Sequence, residues 1–104
     1  MEHWSDREKK IARRVFQAAL TAELAEILAD FKARAAAAVE TDDMWSIQEN
    51  LFRTRREIDQ KYDYRYSQLL FVFARLVREG RVQEADLAGL SEDKLAFIRR
   101  ITSL

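Results

Sequence analysis

The sequence contains no proline, and its only glycines stand at positions 80 and 89. These two residue types disfavour a helix interior most, proline by about 3 kcal/mol and glycine by about 1 kcal/mol relative to alanine. Everything before Gly80 can therefore be helical without an intrinsic breaker. No segment shows the strict apolar/polar alternation of a half-buried strand, and no internal repeat or low-complexity linker interrupts the chain. An all-α fold is expected.

Local signals divide the chain into helices. "SDRE" at Ser5–Glu8 has the capping-box form, in which the serine hydroxyl accepts from the amide three residues on and the glutamate reaches back. A stripe follows through Phe16, Leu20, Leu24, Ile27, Leu28, Phe31 and Ala35, the three-and-four spacing of one helix face. "ETDD" at positions 40 to 43 supplies a stop and a restart, with Thr41 or Asp42 as the expected cap of a second helix. Its stripe is longer: Met44, Ile47, Leu51, Ile58, Tyr62, Tyr66, Leu69, Phe73 and Leu76. A bend is allowed near Asp63 to Ser67, where helix propensity falls, and Gly80 closes the helix in a left-handed cap. A short helix is expected over Val82 to Ala88, closed by Gly89. Ser91 then caps a last helix carrying Leu95, Ile98 and Ile101.

With 104 residues, the chain is expected to form a single domain over 1–104, with a helical stem at 1–65 and a helical head at 66–104. Two helices of roughly 35 residues would each be about 50 Å long. A compact domain of about 100 residues has a radius of gyration near 13 Å. Two such helices folded only on each other leave much apolar stripe exposed, and a twofold partner covers both stripes at once. The expected architecture is two long antiparallel helices forming a dimerising stem, plus a small C-terminal head. The expected dimer interface is Met44, Trp45, Ile47, Leu51 and Arg55.

Arg55 is the anomaly of that seam. At about 100° per residue it falls inside the arc of Met44, Leu51 and Ile58, where an apolar residue would complete the stripe. Gln48, Phe52 and Trp45 continue from it along the seam's margin, with Glu49 and Arg56 beyond. Either Arg55 lays its stem over the seam and sends its head to water or Asp59, or the strip is a partner-binding surface of the arginine-and-aromatic kind enriched at interface hot spots. Phe71 and Phe73 lie on opposite sides of their helix. Phe73 continues the seam, so Phe71 is expected to be exposed and suited to docking a partner.

Several function classes lose support. Lys plus Arg and Asp plus Glu both total 18, so no global field holds nucleic acid or an anionic membrane. A nucleic-acid reading rests only on Arg53, Arg55 and Arg56. The clusters "KK", "ARR" and "RTRRE" read instead as a solvated face, with acids at spacings such as Glu49–Arg53 and Glu57–Lys61. Tyr62, Tyr64 and Tyr66 could stack bases, but Tyr62 and Tyr66 fall on the core stripe. Apolar runs such as Ala35 to Val39 and Leu69 to Ala74 are too short to cross a bilayer. The start, "MEHWSDREKK", is charged where a signal peptide is apolar. Cysteine is absent, in keeping with a reducing compartment, and a cytoplasmic protein is expected. His3 is the only histidine and sits near the terminus. Asp42 and Asp43 read as acids opening a helix rather than a carboxylate pair. No glycine-rich phosphate loop or Ser/His/Asp arrangement is present. A non-enzymatic protein without a cofactor is expected.

The block "DDMWSIQENLFRTRREIDQKYDYRYSQLLFVFARLVREG", continued by "DLAGLSEDKLAFI", resembles the fluorescence recovery protein family of cyanobacteria. "EIDQKYDYRYS" is its most specific piece, because amphipathicity does not demand those letters together. The likeness covers about the last 60 residues, with the first helix similar in length and character. The resemblance implies an all-helical dimer that binds the C-terminal domain of the light-activated orange carotenoid protein. It speeds that protein's return to the resting form and so ends quenching of the phycobilisome antenna. The family's implicated strip is a Trp, a His-Asp pair and an Arg on the second helix. Trp45 and Arg55 match it, Glu49 stands for the Asp, and Gln48 stands for the His. Phe71 matches a head phenylalanine. Members of the wider family in bacteria without the carotenoid protein leave two alternatives: an equivalent helical dimer with a different protein partner, or a nucleic-acid-binding helical dimer.

Overall fold

A computed structural model describes residues 3–104 of the chain. In order it contains α1 (Asp6–Ala37), α2 (Thr41–Lys61), α3 (Leu69–Arg78), a short 3-10 turn (Glu84–Leu87) and α4 (Glu92–Thr102). No strand occurs among the described residues. The helix ends follow the local chemistry. The Ser5 amide donates to Glu8 Oε1 at 3.0 Å and the Glu8 amide to Ser5 Oγ at 3.1 Å, a closed capping box. Ser91 Oγ accepts from the Lys94 amide to start α4. Gly80 turns the chain out of α3 with φ 77°.

Contacts group the chain into two compact units, one comprising the chain up to Leu20 with Tyr62–Leu104, the other Thr21–Lys61. The first unit is a small packed head. Leu69, Phe73, Leu76, Leu87 and Ile98 are its fully buried large side chains. The same unit buries Ile11, Ala12, Val15, Phe16 and Ala19, one side of the first third of α1. The sequence placed the whole first helix in the stem, whereas α1 runs through both units.

The second unit is a helical hairpin. At its turn the Val39 and Glu40 amides both donate to Asp43 Oδ2 at 2.9 Å. Those bonds, Glu40's first and then Val39's, hold the Asp43 carboxyl below the usual range despite slight desolvation. The cap thus comes from Asp43 reaching back, not from Thr41 or Asp42. At the opposite end Lys61 Nζ meets Glu23 Oε1 at 2.7 Å. A chain reversed at residues 38–40 that brings Lys61 back to Glu23 is antiparallel. Within Thr21–Lys61 only Ile58 and Lys61 are buried.

One expectation fails in an informative way. The stripe from Met44 to Leu76 is not one long helix: α2 stops at Lys61, after 21 residues, and α3 begins at Leu69. Between them Arg65 grips Asp63 through its Nε, at 2.9 and 3.0 Å to the two carboxylate oxygens. The three tyrosines turn onto α1 and the segment before it. Tyr62 and Tyr64 meet Phe16 edge-on at 5.4 and 4.8 Å between ring centres, and Tyr66 meets Trp4 at 5.6 Å. Tyr62 is buried, but Tyr66 is exposed, so the sequence overstated its place in the core. Aromatic contacts contribute about 0.5–1.5 kcal/mol each beyond area burial, enough in sum to outweigh a few helical hydrogen bonds of about 1 kcal/mol.

The two glycines differ in what they protect. A Cβ at Gly80 would meet nothing within 4 Å, whereas one at Gly89 (φ 108°) would stand 2.5 Å from Ile11 Cδ1. Gly80→Ala is expected to cost about 1 kcal/mol for the left-handed backbone. Gly89→Ala should cost about 2–4 kcal/mol, because a clash with the buried Ile11 adds to the strain. Urea unfolding of the two variants checks the order, and equal losses would contradict it.

Candidate functional site

The candidate strip lies on α2. Trp45, Gln48, Phe52 and Arg55 follow one another by three, four and three residues, which lines them along one side of a helix. All four are exposed, as is Glu49 beside them. Trp45 is 55% and Phe52 67% exposed, far more than isolated aromatic side chains of this size usually show. The Arg55 side chain is 85% exposed; its Nε stands 3.9 Å from Asp59 Oδ2, the acid one turn on. An open pair at that separation contributes little to stability, and the guanidinium keeps its planar fork of donors available.

The predicted interface residues share this helix. Met44 is exposed, and Ile47 and Leu51 are half-buried. On the other helix of the hairpin Leu24 and Leu28 are also about half exposed. A unit that buries Ile58 and leaves Leu24, Leu28, Met44, Trp45 and Phe52 open has the apolar surface of a binding or assembly face.

Phe71 belongs to the head rather than to the hairpin. It is 49% exposed while Phe73, two residues on, is at 0%, the contrast expected from opposite sides of one helix. Its ring meets Phe97 edge-on at 5.4 Å, and the Arg100 guanidinium lies 5.4 Å from the Phe97 ring centre. Phe97 did not stand out in the sequence because it falls off the Leu95–Ile98–Ile101 stripe. Its significance comes from α4 being laid against α3.

The remaining candidates resolve as structural. His3 is exposed, and its carbonyl accepts from Lys94 Nζ at 2.6 Å. Asp43 closes the hairpin turn, as described. Arg53 reaches Asn50 at 3.3 Å instead of Glu49, so one of the expected charge pairs is replaced by a neutral contact. The sequence missed a buried ion pair: Lys94 Nζ lies 3.2 Å from both oxygens of Glu8, and Glu8 Oε2 also accepts from the Ser91 amide at 2.8 Å. Burial alone would push the Glu8 carboxyl up; the Ser5 and Ser91 amides and the Lys94 ammonium overcome that and hold it at about 2. Among the described residues no helix is long and apolar enough to cross a membrane.

Comparison with known proteins gives this geometry a context. The family model of the photoprotection regulator fluorescence recovery protein matches residues 4–102, extending the likeness through α1. The fluorescence recovery protein of Synechocystis sp. is 40% identical over 101 residues, 97% of this chain and 93% of the relative. The solved structure of the Fremyella diplosiphon protein superimposes with a TM-score of 0.92 at 38% identity, covering 98% of this chain and all of that one. The solved structure of the Synechocystis protein gives 0.92 at 39% identity, with 98% of this chain and 100% of that chain covered. An all-helical chain with an exposed Trp–Gln–Phe–Arg strip on α2, matched across nearly its whole length, belongs to the fluorescence recovery protein family of photoprotection regulators.

Proposed function

We propose that the chain works in the cytoplasm as a non-enzymatic homodimer. In this reading it binds the C-terminal domain of the activated orange carotenoid protein and accelerates its return to the resting state, ending phycobilisome quenching. The observation that carries it is the open strip of Trp45, Gln48, Glu49, Phe52 and Arg55 on a regulator of this family. The strip offers aromatic area at small cost in side-chain entropy, together with a guanidinium for a partner carboxylate. Phe71, on the head, supplies a second contact. The mechanism is non-covalent: the protein engages the state whose domains are separated and lowers the barrier to their re-docking. Equal binding of both end states would leave the equilibrium where it was while still speeding exchange. Glu49 preserves the family's acidic charge on a longer arm, and Gln48 keeps a hydrogen-bonding group where the family has His.

The direct test adds the purified chain to photoactivated orange carotenoid protein and follows its colour reversion in the dark. A rate that rises with added protein is expected. No acceleration at equimolar protein, with no complex on size exclusion, would overturn the carotenoid-protein assignment.

The homodimer rests on the uncovered hairpin surface. Met44, Trp45, Ile47, Leu51 and Arg55 are its proposed centre, and Met44→Glu places a charge there. An unpaired charge taken out of water is strongly unfavourable, so light scattering should report monomer while circular dichroism still shows helix. A wild-type chain that is already monomeric at micromolar concentration would remove the dimer from the proposal.

A further inference from the structure

The first third of α1 carries a charged face that the strip on α2 does not use. Arg7, Lys9, Lys10, Arg13 and Arg14 are all exposed, and none forms an ion pair among the described residues. Several cations elsewhere are matched: Arg34 with Asp30, Arg65 with Asp63, Arg75 with Glu79 and Arg99 with Glu84. The acids inside the run hardly offset it. Glu8 is buried and held by Ser5, Ser91 and Lys94, which leaves Asp6. At about 100° per residue Ile11, Ala12, Val15, Phe16 and Ala19 fill one side of this helix segment, and the cations fill the other. Two are already positioned by aromatic rings. The Arg13 guanidinium lies 3.9 Å from the Tyr64 ring centre, and Lys9 Nζ 5.5 Å from that of Tyr66.

We propose that the Arg7–Arg14 face of α1 is a second docking surface, one that takes an acidic protein surface. Its chemistry separates it from the other polyanions. The apolar side of this segment is buried in the chain's own head, so it cannot lie in a membrane interface as an amphipathic helix does. Spanning eight residues at about 1.5 Å each, the patch is roughly 12 Å long, and with 18 charges of each sign in the chain no basic track continues from it. Nucleic-acid affinity draws on many phosphate contacts along such a track. Cations fixed on aromatic faces fit a small cluster of carboxylates, at a low cost in side-chain ordering.

The test uses Lys10→Gln/Arg14→Gln. Both side chains are exposed, and glutamine keeps their helix propensity, so fold and dimer state should be unchanged. Binding of a fluorescent ten-residue oligo-glutamate peptide is measured by anisotropy against wild type, this variant, and a Lys32→Gln control. A single-stranded oligonucleotide of equal charge and phosphatidylserine vesicles are run alongside. Wild type should bind the peptide, more weakly as salt rises, and the double variant should bind it about fivefold more weakly. The Lys32→Gln control should match wild type. Absence of peptide binding, equal binding by the double variant, an equal loss in the control, or tighter binding of the oligonucleotide or vesicles than of the peptide would each overturn the proposal.

Discussion

Glu8→Ala is expected to destabilise the chain by about 3–5 kcal/mol, a large share of a small domain's total stability. The loss comes mainly from Lys94, which is only 3% exposed and would be left as a buried ammonium without a counter-charge. The Trp4 ring 4.9 Å away and the His3 carbonyl replace part of what a carboxylate supplies. Glu8→Gln should cost less, because the amide oxygen still accepts from the Ser5 and Ser91 amides. Replacing both partners, as Glu8→Gln/Lys94→Met, should recover much of the loss, since no buried charge remains. Urea unfolding followed by circular dichroism measures all three, and a loss below about 1 kcal/mol for Glu8→Ala would contradict the ion pair's role.

The same pair sets an acid dependence. The Glu8 carboxyl is depressed from 4.5 to about 2 in the folded chain. A depressed carboxyl contributes its stability fully above its unfolded pKa, and that contribution falls as pH drops from about 4.5 through about 2. The shift corresponds to about 3 kcal/mol. Glu8→Gln, which cannot titrate, should lack this acid-labile component. Identical acid profiles for wild type and Glu8→Gln would refute the assignment.

Arg55→Leu is expected to weaken binding to the activated carotenoid protein about thirtyfold, the effect of losing a hot-spot contact of about 2 kcal/mol. The fold should not suffer. The side chain is almost fully in solvent, and its one acidic neighbour, Asp59, is 3.9 Å away and itself exposed. Leucine would add apolar surface at the proposed seam, so dimer stability should hold or rise. Arg55→Lys is the finer probe, because an ammonium retains the charge and loses the planar fork that grips a carboxylate through two bonds. Lysine should recover only part of the affinity. Calorimetric titration of both variants, with the dimer state checked in parallel, separates a contact residue from one that merely lies along the surface. Equal affinity for wild type and Arg55→Leu would strike Arg55 from the proposed site.

What could be read from the chain was local. The Ser5–Glu8 capping box, the Ser91 cap and the left-handed Gly80 each depend on atoms within three or four residues, and sequence order places those atoms together. The strip was legible for the same reason, since Trp45, Gln48, Phe52 and Arg55 share one helix whose spacing sets their side. Phe71 and Phe73 were separable by the same geometry. The resemblance in "EIDQKYDYRYS" pointed to the family before any fold was available.

What the tertiary structure decided involves residues far apart in the chain. The stripe through Tyr62, Tyr66 and Leu69 keeps helical spacing, yet the segment unwinds because Phe16 and Trp4 offer ring contacts that periodicity cannot register. Glu8 reads locally as a cap. Only the approach of α4 makes both of its oxygens the counter-charge of Lys94, 86 residues on. Lys61 has Glu57 one turn behind it on the same helix, but its ammonium meets Glu23 on α1, where both side chains are shielded from water and Coulomb attraction is stronger. Sequence order determined each helix's ends and faces, because hydrogen bonds and side-chain directions within a few residues follow from backbone geometry alone. Which buried charges meet, and where a helix yields to aromatic packing, was decided only when distant segments excluded water together.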